Sequence, residues 1–297
     1  MDRRNLLKSV IGSAAATALI SDSRDQFPRA AEPGRSVQPR LSACIEAVFR
    51  DVKPFEARLE QVKAAGLDVF EFWSWGGKDL DALNARRKEL GLTVAIFSCA
   101  TGGELVAPGS AAKFLPALND SIAAARRLDC RRLIATVGKE RADIPRAAQH
   151  ANVVEALKAG APVLEQQNMI LCIEPLNLLV DHPGQYLSTS AEAFEIVDEV
   201  GSPNVKVLFD IYHQQITEGN VIHNITKNME RIGHFHVADV PGRHEPGTGE
   251  INYLNVFRAI GATSYDACLG LEMWPAGDNV AAVRETKALF DRALAGQ

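Results

Sequence analysis

Residues 232–253 read IGHFHVADVPGRHEPGTGEINY. The first eight are apolar with polar interruptions, the texture of a buried strand. His234 and His236 lie two apart, so a strand carries both on one face. After Asp239 come Pro241, Gly242, Pro246, Gly247 and Gly249, which is loop chemistry, and a helical pattern begins near Asn252. A strand therefore runs out into a long loop carrying Arg243, His244, Glu245 and Glu250, and the loop leads into a helix. Polar groups gathered where a buried strand ends are where α/β proteins place their chemistry.

The same alternation extends in both directions. Strand-like runs cover residues 42–49, 68–75, 93–100, 132–138, 169–177, 205–212, 233–239 and 267–274. Helical patterns cover 54–65, 79–90, 111–128, 144–167, 191–200, 217–231, 253–260 and 279–293. Pro54 suits a first helical turn, Gly66 and Gly91 suit left-handed caps, and Ser190 suits an N-cap. Gly160 and Pro162 predict a kink or a break in the fourth helix. Eight strand–helix repeats predict an α/β protein, a closed (β/α)8 TIM barrel, over residues 41–297 as one domain. An open doubly wound sheet is the alternative, but no GxGxxG follows the first strand.

Strands buried on both faces read as unbroken apolar runs. LCIEPLN, VKVLFDIY and CLGLEMW do so until one acidic residue interrupts each, and a bare carboxylate there is costly unless paired or metal-bound. Glu174, Asp210, His236 and Glu272 are separated by 36, 26 and 36 positions, about one strand–helix unit each. They therefore belong to four neighbouring strands at one rim, close enough to converge. Three carboxylates and an imidazole, with no thiolate, suit one divalent ion. Mn²⁺ or Mg²⁺ fits best, with Co²⁺ or Zn²⁺ as alternatives.

EPLN (174–177), DIYH (210–213), GHFHVAD (233–239), RHEPGTGEINY (243–253) and LEMWP (271–275) resemble the hydroxypyruvate isomerase family of xylose isomerase-like TIM barrels, across almost everything after residue 40. The resemblance implies a single divalent metal on Glu174, Asp210, His236 and Glu272. It implies that Glu174 and Glu272 double as the acid/base pair, and that His213 and Arg243 hold substrate oxygens. Such a site carries out aldose–ketose isomerisation or ketose epimerisation: one glutamate removes a proton next to a carbonyl and the other returns it, through an enediolate. The expected substrate is a small sugar or hydroxy-oxo acid.

Read as residues, some roles stay open. Arg243 suits a carboxylate clamp, or equally a partner for Glu245 or Glu250 within its loop. His234, one layer deeper than His236, reads as a core or supporting histidine. Bacterial relatives can carry Gln at the His236 position, and histidine there is similar to the ketose 3-epimerase branch. That branch leads us to expect another acidic residue after EPLN, a role open to Asp181 or His182. Phe72, Trp73, Trp75 and Trp274 sit at strand ends, for sugar stacking or for rim packing.

The chain begins MDRRNLLKSVIGSAAATALI. A basic start, a short apolar core and small residues make an export signal, and Arg3-Arg4 resembles the twin-arginine type. We expect a signal at residues 1–31, a tether at 32–40, the twin-arginine machinery as a partner and a periplasmic destination. That departs from the cytosolic setting of hydroxypyruvate isomerases. Residues 1–31 carry five basic and three acidic side chains, so the rest carries −7 against −5 for the whole chain. This acidic balance points away from nucleic acid, because phosphate backbones call for a basic stripe. It leaves a DNA repair endonuclease, another activity of similar barrels, as a remote reading. Cys44, Cys99, Cys130, Cys172 and Cys268 form neither a disulfide framework nor a CxxC pair, and Cys44, Cys99, Cys172 and Cys268, inside strand-like runs, read as small buried hydrophobes. A lyase on keto-glycosides and a non-catalytic periplasmic sugar-binding module are the competing functions. Oligomeric state is open, a homo-oligomer included.

Overall fold

Each of the eight apolar runs becomes a strand of one closed, all-parallel barrel, in sequence order around the ring. The computed structural model describes residues 38–296. The strands are β1 (Arg40–Cys44), β2 (Val69–Ser74), β3 (Thr93–Ser98), β4 (Arg132–Ala135), β5 (Ile170–Ile173), β6 (Val205–Asp210), β7 (Ile232–Val237) and β8 (Cys268–Leu271). Helices α1 (Arg58–Ala64), α2 (Leu80–Glu89), α3 (Ala111–Arg127), α4 (Arg146–Gln166), α5 (Ser190–Val200), α6 (Ile211–Thr217), α7 (Val221–Lys227), α8 (Tyr253–Gly261) and α9 (Asn279–Ala295) alternate with them. β1 pairs with β8 and closes the ring. It starts at Arg40, one residue before the expected start of the domain. The export signal and all but the last residues of the tether lie outside the described residues.

The strands are shorter than the apolar runs that announce them. The 42–49 run leaves the sheet after Cys44 and turns. The 205–212 run leaves it at Asp210, whose carboxylate accepts from His213 N at 3.0 Å and caps α6. An apolar run continues across such a turn because both sides of it are buried, so hydrophobicity alone does not mark the boundary. The single helix expected over 217–231 divides into α7 and a 3-10 turn, with α6 before it. Conversely, α4 is one element through Gly160 and Pro162. Gly160 there serves a close approach: a Cβ would lie 2.7 Å from the ring of Phe114 on α3. The N-cap of α5 is Thr189, accepting from Glu192 N at 3.2 Å, and Ser190 is the first helical residue. Gly66 and Gly91 take positive φ, 80° and 64°, as expected for left-handed caps.

The barrel interior is filled by side chains. Val69, Ala95, Ile96, Ile134, Cys172, Leu208 and Cys268 form one buried cluster. Phe72 stacks on Phe97 with centroids 4.9 Å apart. All five cysteines are free and buried. Register sets the next level: Asp210 lies opposite His236, and His236 lies opposite Gly270. Polar residues at one depth of neighbouring strands therefore meet at a common rim.

Candidate active site

Glu174 follows β5 by one residue, Asp210 ends β6, His236 lies within β7, and Glu272 follows β8 by one residue. The structure brings all four together, buried, with one ligating atom from each within 4.8 Å of the others. His236 Nδ1 sits 3.5 Å from Glu174 Oε1, 3.5 Å from Glu272 Oε2 and 3.9 Å from Asp210 Oδ2. These distances exceed hydrogen-bond length, and Nδ1 has no hydrogen-bond partner. A buried ring nitrogen facing three carboxylates across a gap is what a divalent cation would fill, so these residues fit the ion that their donor chemistry implies.

The two glutamates are driven apart electrostatically. Burial pushes Glu174 up to about 7, outweighing the pull of His236. Burial also acts on Glu272, but His236, Arg243 and the Trp73 indole hold it well below the usual carboxylate range. Trp73 Nε1 donates to Glu272 Oε1 at 2.6 Å, and Arg243 Nη2 donates to Oε2. Without a metal ion, one carboxyl thus titrates near neutrality while the other stays ionised, the separation that an acid/base pair uses.

Arg243 is placed by the loop in which it sits. Asp239, fully buried, is the hub of that loop. Its Oδ1 accepts from Val240 N and Ile251 N at 2.9 and 3.0 Å, and its Oδ2 accepts from Gly247 N and Gly249 N at 2.8 and 3.0 Å. Gly249 must be glycine, since a Cβ would lie 2.1 Å from Val240 O. Arg243 itself takes φ 56°, and its carbonyl accepts from Trp274 N at 2.8 Å. The guanidinium lies between Trp274 and Tyr212, 4.6 and 5.0 Å from their ring centroids. It approaches Asp210 at 3.6 Å and Asp181 at 3.8 Å. The alternative pairing with Glu245 or Glu250 is not what forms. Glu245 accepts from Ala276 N, and Glu250 accepts from Gln215.

His213 has a defined tautomer. Asn177 Oδ1 accepts from Val180 N and Asp181 N, so its amide nitrogen is the end that meets His213 Nδ1, at 2.6 Å. Nδ1 accepts, and the proton is on Nε2, which is buried without a hydrogen-bond partner. Burial pushes the ring down to about 4, so it is a neutral donor at neutral pH. Asp181 accepts from Asn177 Nδ2 at 2.8 Å. His182 packs edge-on to His213, 5.1 Å between centroids.

These groups border a cavity of about 300 Å³, at the small end of ligand pockets. Glu174, Glu272, His213, His182, Arg243 and Trp73 supply its polar wall, with Ile134, Leu176 and Cys99 among its apolar groups. Of the four rim aromatics, Trp73 and Trp274 line it. Phe72 is core, and Trp75 turns away to donate to Ser121.

Sequence reasoning missed Glu71. It is buried in β2, accepts from Ser42 Oγ at 2.6 Å, and lies 3.0 Å from His234 Nε2 and 2.9 Å from His236 Nε2. Burial works against its charge, yet the two imidazoles hold it down to about 2. The signal was available: VFEFWS is another apolar run broken by one acid. His234 is a supporting histidine on Glu71.

The chain matches the xylose isomerase-like TIM barrel family over residues 59–293. It is 32% identical over 252 residues to the hydroxypyruvate isomerase of Escherichia coli (strain K12), covering 82% of this chain and 97% of that one. It is 33% identical over 244 residues to the 2-oxo-tetronate isomerase of Cupriavidus necator, covering 80% and 93%. The crystal structure of an AP endonuclease, family 2, from Brucella melitensis superposes with a TM-score of 0.80 at 29% identity, covering 84% of this chain and 98% of that one.

Proposed function

The chain belongs to the xylose isomerase-like TIM barrel family and is an isomerase, and from that premise we propose that it moves a proton between adjacent carbons of a small hydroxy-oxo acid or sugar, with the hydroxypyruvate and 2-oxo-tetronate class foremost. Glu174, Asp210, His236 and Glu272 would hold one divalent ion, Mn²⁺ or Mg²⁺ by the oxygen-rich donor set, with Co²⁺ or Zn²⁺ as alternatives. The observation that carries this reading is the partnerless His236 Nδ1 ringed by three carboxylates.

When bound, such a cation supplies Lewis acidity that acidifies the carbon next to a carbonyl. The chain's own residues do the rest. Glu272, held ionised, accepts the proton from that carbon. Glu174, whose protonated form burial favours in the metal-free chain, is the group placed to deliver one at the neighbouring position, and the reverse reaction exchanges the roles through the same enediolate. His213 donates its Nε2–H to a substrate oxygen. Arg243, stiffened between two aromatic rings, faces a substrate carboxylate or hydroxyl. The cavity of about 300 Å³ suits a few-carbon substrate better than a phosphodiester strand.

Incubating the Mn²⁺-loaded protein with hydroxypyruvate, 2-oxo-tetronate and a set of ketoses and aldoses tests the proposal. Conversion of at least one oxo acid or sugar to its isomer, abolished by EDTA, is expected. Conversion unaffected by chelation would remove the metal from the account. We also propose that the protein works in the periplasm, a reading supported by the residue pattern at 1–31.

A further inference from the structure

We propose that Glu71 is a positioning residue that sets how His236 meets the cation: it takes the Nε2–H and so presents the Nδ1 lone pair to Glu174, Asp210 and Glu272. This rests on the metal reading above. The two ring nitrogens of His236 face different carboxylates. Nε2 is in ion-pair contact with Glu71 Oε1 at 2.9 Å, out of line for a hydrogen bond and with no other partner for either atom, whereas Nδ1 points into the cluster of three at 3.5–3.9 Å. A histidine ligand is oriented by what its other nitrogen donates to, and a carboxylate partner also makes it a stronger ligand.

Glu71 is itself fixed. Its Oε2 accepts from Ser42 Oγ at 2.6 Å and lies 3.0 Å from His234 Nε2. Ser42, Glu71, His234 and His236 come from β1, β2 and β7, and each is at most 1% exposed. The room for this arrangement is made by a fourth strand. A Cβ on Gly270 in β8 would lie 2.1 Å from Glu71 Oε1, so a methyl group there would push the carboxylate away from His236. The chain thus commits three side chains and one missing side chain, on four strands, to holding one oxygen against one ring nitrogen.

Co²⁺ titration of the metal-stripped protein, read by visible absorption and by competition with a chelator, tests this on the unmodified chain and on Glu71→Gln, Gly270→Ala and Ser42→Ala. The unmodified chain should bind one Co²⁺. Glu71→Gln and Gly270→Ala should bind one Co²⁺ about 10- to 100-fold more weakly, with displaced d–d bands. Ser42→Ala, which removes one anchor and little bulk, should shift both in the same direction by less. A purely structural role would lower the melting temperature and leave the spectrum and affinity unchanged, and that result would overturn the proposal. Gly270→Ala alters no polar group, and Ser42→Ala is mild enough to keep the fold if Glu71→Gln does not. A second Co²⁺ per chain, lost in Glu71→Gln, would also overturn it, because Glu71, His234 and His236 would then be ligands of their own site. No Co²⁺ on the unmodified chain would sink the metal reading itself and this inference with it. Binding by the unmodified chain that the variants leave intact would sink this inference alone.

Discussion

Trp73 and Glu272, 199 positions apart in the chain, are joined by an indole N–H donated to Oε1 at 2.6 Å. That bond belongs to the ionised form of the carboxylate. Trp73→Phe keeps an aromatic ring on the cavity wall and removes the donor. A hydrogen bond to a charged group is worth about 1.5–3 kcal/mol, so kcat should fall roughly tenfold or more. The acid limb of the pH–rate profile should move to higher pH, because Glu272 loses a group that lowers its pKa. Steady-state rates across pH check both.

Asp239 holds four backbone N–H groups of the loop that carries Arg243. Asp239→Ala leaves those donors without their acceptor and should cost about 3 kcal/mol of stability. It should also raise KM more than it lowers kcat if Arg243 serves binding. Denaturant unfolding and kinetics on the same variant separate the two effects.

The barrel and the four clustered residues were legible because one rule covered both. An apolar run broken by a single acid, repeated at the length of one strand–helix unit, predicts neighbouring carboxylates at one rim. Glu71 obeys the first half of that rule, but it precedes Glu174 by 103 positions, outside the regular spacing that links the last four strands. Asp239 could be seen as the end of a strand, yet not as a hub, because its partners are backbone N–H groups and leave no trace in residue types. Nor could the tautomer of His213 be read, since it depends on which end of the Asn177 amide the 178–181 turn occupies. The helix α6 was hidden by the same continuity of apolar residues that announced β6.

His236 predicts a pH signature for the metal-stripped protein. Burial lowers its pKa, but the carboxylates of Glu272 and Glu71 overcome this and raise it well above the usual histidine value. The folded chain therefore holds a proton that the unfolded chain has released above about 6.5. This contribution is complete below that pH and is lost as pH rises toward the folded pKa. Between pH 7 and 8 the metal-free protein should lose stability, by on the order of 1 kcal/mol for one proton over one pH unit. With the cation replacing the proton, that slope should disappear. Urea midpoints at the two pH values, with and without Mn²⁺, decide it.

The pattern at Arg3 and Arg4 predicts export by the twin-arginine route. Replacing both by lysine in the full chain should leave the protein in the cytoplasm. Fractionation and immunoblotting of cells expressing each form would show it, and equal periplasmic amounts would count against this route.

The central claim is that a cation-binding ring of carboxylates at the strand tips abstracts a proton beside a carbonyl. Proton NMR of hydroxypyruvate in D2O with the Mg²⁺-loaded protein tests it most directly. Deuterium should enter the carbon that bears the hydroxyl, and EDTA should stop it. In Glu272→Gln, folded and still able to bind metal, exchange should fall by a factor of about 10² or more. Undiminished exchange in that variant, or exchange indifferent to EDTA, would contradict the account.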